Sequence, residues 1–113
     1  MKEFPDFLKN ELNHIDSSQQ NTADIDGYFY EGADGSQVCF WTYYSDRDSK
    51  ENVHDFDEYV FCVSGEYVEI FGGEEYVLHA GDELLVPKGC PHHGRVKKGT
   101  RTIHAFGGKR ITS

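Results

Sequence analysis

The feature that most constrains this chain is a run of short apolar segments closed one after another by glycine turns. Ser64-Gly65, Gly72-Gly73, Ala80-Gly81, Pro87-Lys88-Gly89 and Lys97-Lys98-Gly99 punctuate it at intervals of roughly eight to ten residues. Before and between them lie strand-like segments rich in β-branched and aromatic residues, such as Tyr59-Val60-Phe61-Cys62-Val63. In Glu66–Phe71 the alternation is clean, with Tyr67, Glu69 and Phe71 on one face and Glu66, Val68 and Ile70 on the other. Gly72-Gly73 supplies the positive φ values that a two-residue hairpin turn needs. Upstream, Tyr28–Glu31 and Gln37–Tyr44 flank the turn cluster Gly32–Ser36 and read as a further hairpin. About eight short strands at this spacing argue for an all-β antiparallel sandwich or barrel. The 14% aromatic content and twelve glycines agree with it.

With 113 residues, the chain makes one domain that can bury a core without a disulfide or metal staple. Its N-terminal part differs in pattern. Phe4, Phe7, Leu8, Glu11, Leu12 and Ile15 fall at helical spacing, which predicts a short amphipathic helix over Asp6–Asn13 that covers one end or edge of the sheets. His14 sits at the end of that helix and is expected to have no further role. A polar loop follows, so residues 1–26 are read as helix and loop and 27–113 as the barrel. Ser45–Glu51 is read as a charged loop. The net charge of −9 speaks against nucleic acid as a partner, because phosphate binding needs a cationic face. Three cysteines without close spacing make no disulfide framework, no apolar run reaches membrane-spanning length, and the N-terminus has no apolar signal core. A reducing, cytoplasmic setting is expected.

The chemistry-bearing residues cluster between Asn52 and Val96. His54 and Glu58 open one apolar strand, and His92 follows another. Two histidines and a carboxylate on neighbouring strands can converge on one divalent transition metal, iron, manganese, nickel or zinc, with positions left open for a ligand.

Two spacings carry a family resemblance. His54, three residues, Glu58, six residues and Gly65 match one motif; Gly81, five residues, Pro87, one residue, Gly89, two residues and His92 match a second. In both, the sequence resembles small single-domain cupins of the conserved-barrel, RmlC-like type. That resemblance implies a double-stranded β-helix or jelly-roll barrel and a metal set of three histidines and one glutamate. The sequence departs from it at Asn52, which stands where the first motif histidine belongs, and at Val96, which stands where an asparagine closes the second. The implied ligands are therefore His54, Glu58 and His92, with the Asn52 amide oxygen as a weak fourth or as a partner for bound water. In similar small cupins, residues at the positions of His104 and Phe106 project into the pocket. His104 then has three readings: a replacement ligand, a general acid or base, or a buried histidine bonded to a carbonyl.

Neighbouring residues receive plainer readings. His93 points away from His92 on an extended segment, and His79 is a solvated turn residue. Cys90 is an inert thiol, and Asp55 and Asp57 are loop charges. Trp41, Tyr43 and Phe40 are core with some access to the barrel, and Arg110 caps its mouth or binds a carboxylate. Two functions follow. One is a metal-dependent isomerase, lyase or dioxygenase acting on a small polar metabolite, with His104 moving a proton; the other is a non-catalytic ligand-binding or sensing protein with a degenerate metal site. A homodimer is expected, because similar cupins pair through sheet edges or an N-terminal strand and Val38–Tyr44 is apolar on both faces; the chain's own helix is the alternative cover for that strand.

Overall fold

The computed structural model describes residues 3–16 and 24–112. Nine strands run in order: β1 (Ile25–Glu31), β2 (Gln37–Tyr43), β3 (Arg47–Asp48), β4 (Glu58–Ser64), β5 (Glu66–Phe71), β6 (Glu74–His79), β7 (Glu83–Val86), β8 (His92–Val96) and β9 (Arg101–Phe106). They form two antiparallel sheets, one ordered β1-β2-β9-β4-β7 and the other β3-β8-β5-β6. The first sheet gives Cys39, Trp41, Val60, Val86 and Phe106 to the core, and the second gives Tyr67, Leu78 and Val96. The two sheets therefore face each other across one hydrophobic layer, as expected of an all-β sandwich or barrel.

Period-2 burial explains why these segments are strands. Along β2, Gln37, Cys39, Trp41 and Tyr43 are buried while the residues between them are half-buried. The turns sit where the glycines stand. Gly65 is needed twice over: its φ is +84°, and a Cβ there would collide with the Thr100 hydroxyl. That hydroxyl accepts from Glu66 N at 3.0 Å and donates to Glu66 O at 3.1 Å, tying the β4–β5 turn to the start of β9.

Two expectations need correction. The segment read as an amphipathic helix over Asp6–Asn13 forms two separate 3₁₀ turns, Asp6–Leu8 and Glu11–Asn13. Lys9 leaves helical geometry between them, and the Asn10 side chain caps the second turn by accepting from Leu12 N at 2.9 Å. Phe7 and Leu12 are consequently 77% and 92% exposed. The covering task falls to Phe4 and Ile15, which are buried. Phe4 packs edge-on against Phe40, with the Arg101 guanidinium 5.0 Å over the centre of the Phe4 ring, so the chain's own N-terminal segment covers the outer face of β2. Second, the charged loop contains β3, whose Arg47 and Asp48 pair with Val96 and Arg95 of β8. None of the helical turns among the described residues is long and apolar enough to cross a membrane.

Candidate metal centre and ligand cavity

The segment leading into β4 is pinned along β8. Asn52 and His92 exchange both backbone hydrogen bonds at 2.7 and 2.8 Å, and His54 O accepts from Gly89 N at 2.7 Å. Asp57 accepts from Lys88 N through its side chain and from Gly107 N through its carbonyl. Asp57 is thus a structural tie as well as an exposed charge. These bonds bring His54 and His92 to the same place, opposite Glu58 at the head of β4.

Glu58 is the hub. Its Oε1 lies 3.2 Å from His92 Nε2 and 3.7 Å from His54 Nε2, and its Oε2 lies 2.7 Å from His104 Nδ1. One donor atom from each of His54, Glu58 and His92 falls within 4.8 Å of the others. A transition metal with bonds near 2.1 Å separates adjacent ligand atoms by roughly 3.0–3.4 Å, so the three donors fit one ion with little movement. The tautomers also suit it. His92 donates from Nδ1 to the Cys90 carbonyl at 3.0 Å, which leaves Nε2 facing the carboxylate. Cys90 therefore contributes its backbone, not its thiol, a contribution that no feature of the sequence marks.

Electrostatics at the hub oppose simple burial. Burial alone would push the Glu58 carboxyl up, but hydrogen bonds and charge from His104 and His92 outweigh it and hold it at about 2. Burial likewise pushes His92 down, and the Glu58 and Cys90 oxygens more than reverse this, raising it to about 9. His54 is lowered by burial, against the opposing pull of Glu58. In the metal-free state the carboxylate is thus stabilised by protons on its imidazole neighbours.

His104 stands beside this trio. Its register partners are Val60 and Cys39, and it shares a buried face with Thr102 and Phe106 as strand parity requires. The ring packs edge-on against Trp41 and Tyr67 and stacks on Phe106. Facing an ionised Glu58, Nδ1 carries the proton and donates it. The other nitrogen, Nε2, is buried without a partner. The Asn52 side chain lines the same cavity, and its Nδ2 donates to Lys50 O at 3.1 Å. His93 is only half-buried, and the clustered partner of His54 and Glu58 is His92. His79 and His14 are not free: they lie 3.1 Å from Glu66 and 2.7 Å from Asp26.

The trio and His104 open on a cavity of about 70 Å³. Trp41, Tyr43, Val96 and Arg110 line it, whereas Phe40 packs on the outer face of β2. Three further wall residues, Arg47, Tyr67 and Glu69, were not singled out from the sequence as site residues. The alternation in β5 places Tyr67 and Glu69 on one face, but only the pairing of β5 with β8 shows that this face looks into the cavity. Gly94 makes that wall possible, because a side chain there would strike the Tyr67 hydroxyl.

Comparison with known proteins agrees with this architecture. The structure is similar to KdgF from Halomonas sp. (TM-score 0.68, 16% identity, 75% of this chain and 79% of that one). It is also similar to an RmlC-like cupin from Shewanella frigidimarina (TM-score 0.68, 17% identity, 83% and 92%). A cupin superfamily protein from Desulfitobacterium hafniense matches with a TM-score of 0.66 at 18% identity, over 74% and 76%. No curated protein sequence matches the chain. The family profile described as "Cupin domain" matches residues 39–106, which is more than half of the chain, and the protein belongs to that family.

Proposed function

We propose that this protein binds one divalent transition metal through His54 Nε2, Glu58 Oε1 and His92 Nε2 and holds a small polar molecule in the adjoining cavity. The observation that carries this reading is the convergence of three donor atoms within 4.8 Å at the end of a cavity of about 70 Å³. Iron, manganese, nickel and zinc all suit two imidazoles and a carboxylate. Such an ion supplies Lewis acidity toward a carbonyl or hydroxyl oxygen, with open positions for the ligand.

The protein's own groups supply the rest. Glu58 bridges two roles, presenting one oxygen to the metal site and the other to His104. His104 Nδ1–H orients that carboxylate, and its unpartnered Nε2 is the atom available to take a proton from a bound molecule or return one. Asn52 is the candidate for the fourth protein contact, through its amide oxygen. These roles favour a metal-dependent isomerase, lyase or dioxygenase. The weaker amide donor at Asn52 favours a second reading, a ligand-binding protein without turnover that retains a low-affinity site.

Three free thiols support a reducing, cytoplasmic setting, and the charge of −9 speaks against nucleic acid as a partner. A homodimer is proposed through the exposed β4–β7 face, where Tyr59 and Leu85 are register partners and both exposed.

The test is metal analysis of untagged protein purified without added metal. A bound transition metal, lost in His54→Ala and Glu58→Ala but retained in His104→Ala, is the expected outcome. Less than about a tenth of an equivalent, with no uptake on titration, removes the proposal.

A further inference from the structure

The cavity wall away from the metal trio holds two ionisable side chains whose buried polar atoms have no partner. Glu69, on β5, is 1% exposed, and neither of its carboxyl oxygens has a hydrogen-bond partner. Arg47, on β3, is half-buried, yet both of its terminal guanidinium nitrogens are out of reach of solvent and unpartnered. Both residues line the cavity, and they do not pair with each other. The metal end differs: Glu58 is engaged by three histidines, and His92 by Glu58 and the Cys90 carbonyl. A buried polar group left without a partner is destabilising, and a charged one more so. Two such groups on one cavity wall are therefore a site awaiting its complement.

We propose that Arg47 and Glu69 form a metal-independent half of the ligand site that selects a small monocarboxylate carrying a hydrogen-bond donor, with the carboxylate on Arg47 and the donor on Glu69. This rests on the reading that the cavity is a ligand site, and it narrows the ligand's chemistry. The guanidinium fork matches a carboxylate in two parallel hydrogen bonds. A hydroxyl or ammonium group satisfies Glu69. Burial and the Glu58 charge push the Glu69 carboxyl up to about 8, so a hydroxyl is accommodated without an ionised partner. Size and charge narrow the choice further. About 70 Å³ holds roughly five waters, which sets the ligand at a handful of heavy atoms. The ionised Glu58 carboxylate repels a dianion such as phosphate more than a singly charged acid.

The experiment uses the metal-free, chelator-treated protein, so that chelation by a bound metal does not contribute. Glycolate, lactate, 3-hydroxybutyrate and 4-hydroxybutyrate are titrated beside acetate, propionate and butyrate, with glycine as the ammonium arm and inorganic phosphate as the dianion arm. Binding is read from amide chemical shifts. At least one donor-bearing acid binds about tenfold more tightly than its plain counterpart. Arg47→Lys, which keeps the charge and loses the fork, weakens both sets about tenfold. Glu69→Leu abolishes the preference for the donor while leaving the plain acid bound. The spectra of the variants show whether each is folded, and Arg47→Gln provides a second test should Arg47→Lys not be. No binding of any carboxylate by the wild type, as expected if water alone fills the cavity, overturns the proposal. So does tighter binding of phosphate, or an affinity unchanged by Arg47→Lys and Arg47→Gln. Metal uptake measured on the same samples separates this result from the metal reading, since either can fail while the other stands.

Discussion

The two ends of the cavity treat buried charge in opposite ways. At one, Glu58 is enclosed by three imidazoles, and its charge is stabilised to the point that its carboxyl is held at about 2. At the other, Glu69 is equally buried with no partner, and its carboxyl is pushed up to about 8. The same side chain, four residues beyond the β4–β5 turn rather than at the head of β4, reaches an opposite state because of what faces it. Glu58 looks across to His92 on β8, and Glu69 pairs with Gly94 on the same strand. At the first end the carboxylate is satisfied by the chain's own imidazoles, and the proposed metal would displace a proton there. The second is incomplete until something arrives.

The largest effect that tests this contrast comes from Glu58→Ala. It leaves His104 Nδ1 and His92 Nε2 without their acceptor, and loss of one member of a buried charge network costs about 3–5 kcal/mol. Chemical denaturation of the metal-free variant is expected to show that loss, and a cost below about 1 kcal/mol would mean that the hub contributes little to the fold.

A pH effect follows next. His92 is raised from 6.5 to about 9, so its stabilising contribution is complete below pH 6.5 and is lost as pH rises through 9. Glu69 is raised from 4.5 to about 8, and its contribution likewise falls as pH rises from 4.5 through 8. Glu58 runs the other way: its contribution is present above pH 4.5 and is lost as pH falls toward 2. The metal-free protein should therefore melt roughly 5 °C or more lower at pH 9 than at pH 5, as read by a thermal scan. Equal midpoints would break the comparison at both ends.

Glu69→Leu sharpens the second end alone. An apolar group of similar volume removes an unpartnered carboxyl, so the variant should be about 1–3 kcal/mol more stable at pH 8, with a shallower pH dependence. Destabilisation at that pH would show that Glu69 has a partner.

The smallest effect is expected far from the cavity. Leu12 is 92% exposed, so Leu12→Ser should change stability by less than about 0.5 kcal/mol. A larger loss would restore the packed helix that the sequence suggests and the structure lacks.

How far the sequence was legible follows from which interactions are local. The turn at Gly65 could be read because a positive φ leaves a mark on residue choice, and the His54, Glu58 and His92 constellation because its spacing is fixed within and beside strands. Strand parity puts His104 on one face with Thr102 and Phe106, and the resemblance to small cupins implies that this face meets the pocket. The N-terminal periodicity misled because Asn10 competes for the backbone as a cap, and because Phe4 and Ile15 suffice to cover β2 and the adjoining core. Arg47 and Glu69 stayed hidden for another reason. Charged residues on a loop and on an alternating strand read as solvated surface, and only the pairing of β3 and β5 with β8 turns them inward.

His54, Glu58 and His92 together are proposed to bind one transition metal. The direct measurement is a titration of chelator-stripped protein with manganese(II), nickel(II) and zinc(II) at pH 6 and pH 8.5, beside His92→Ala. One equivalent is expected to bind, more tightly at the higher pH as the proton on His92 is displaced more readily, with no saturable site in the variant. Absence of saturable binding at both pH values, or an undiminished site in His92→Ala, would contradict it.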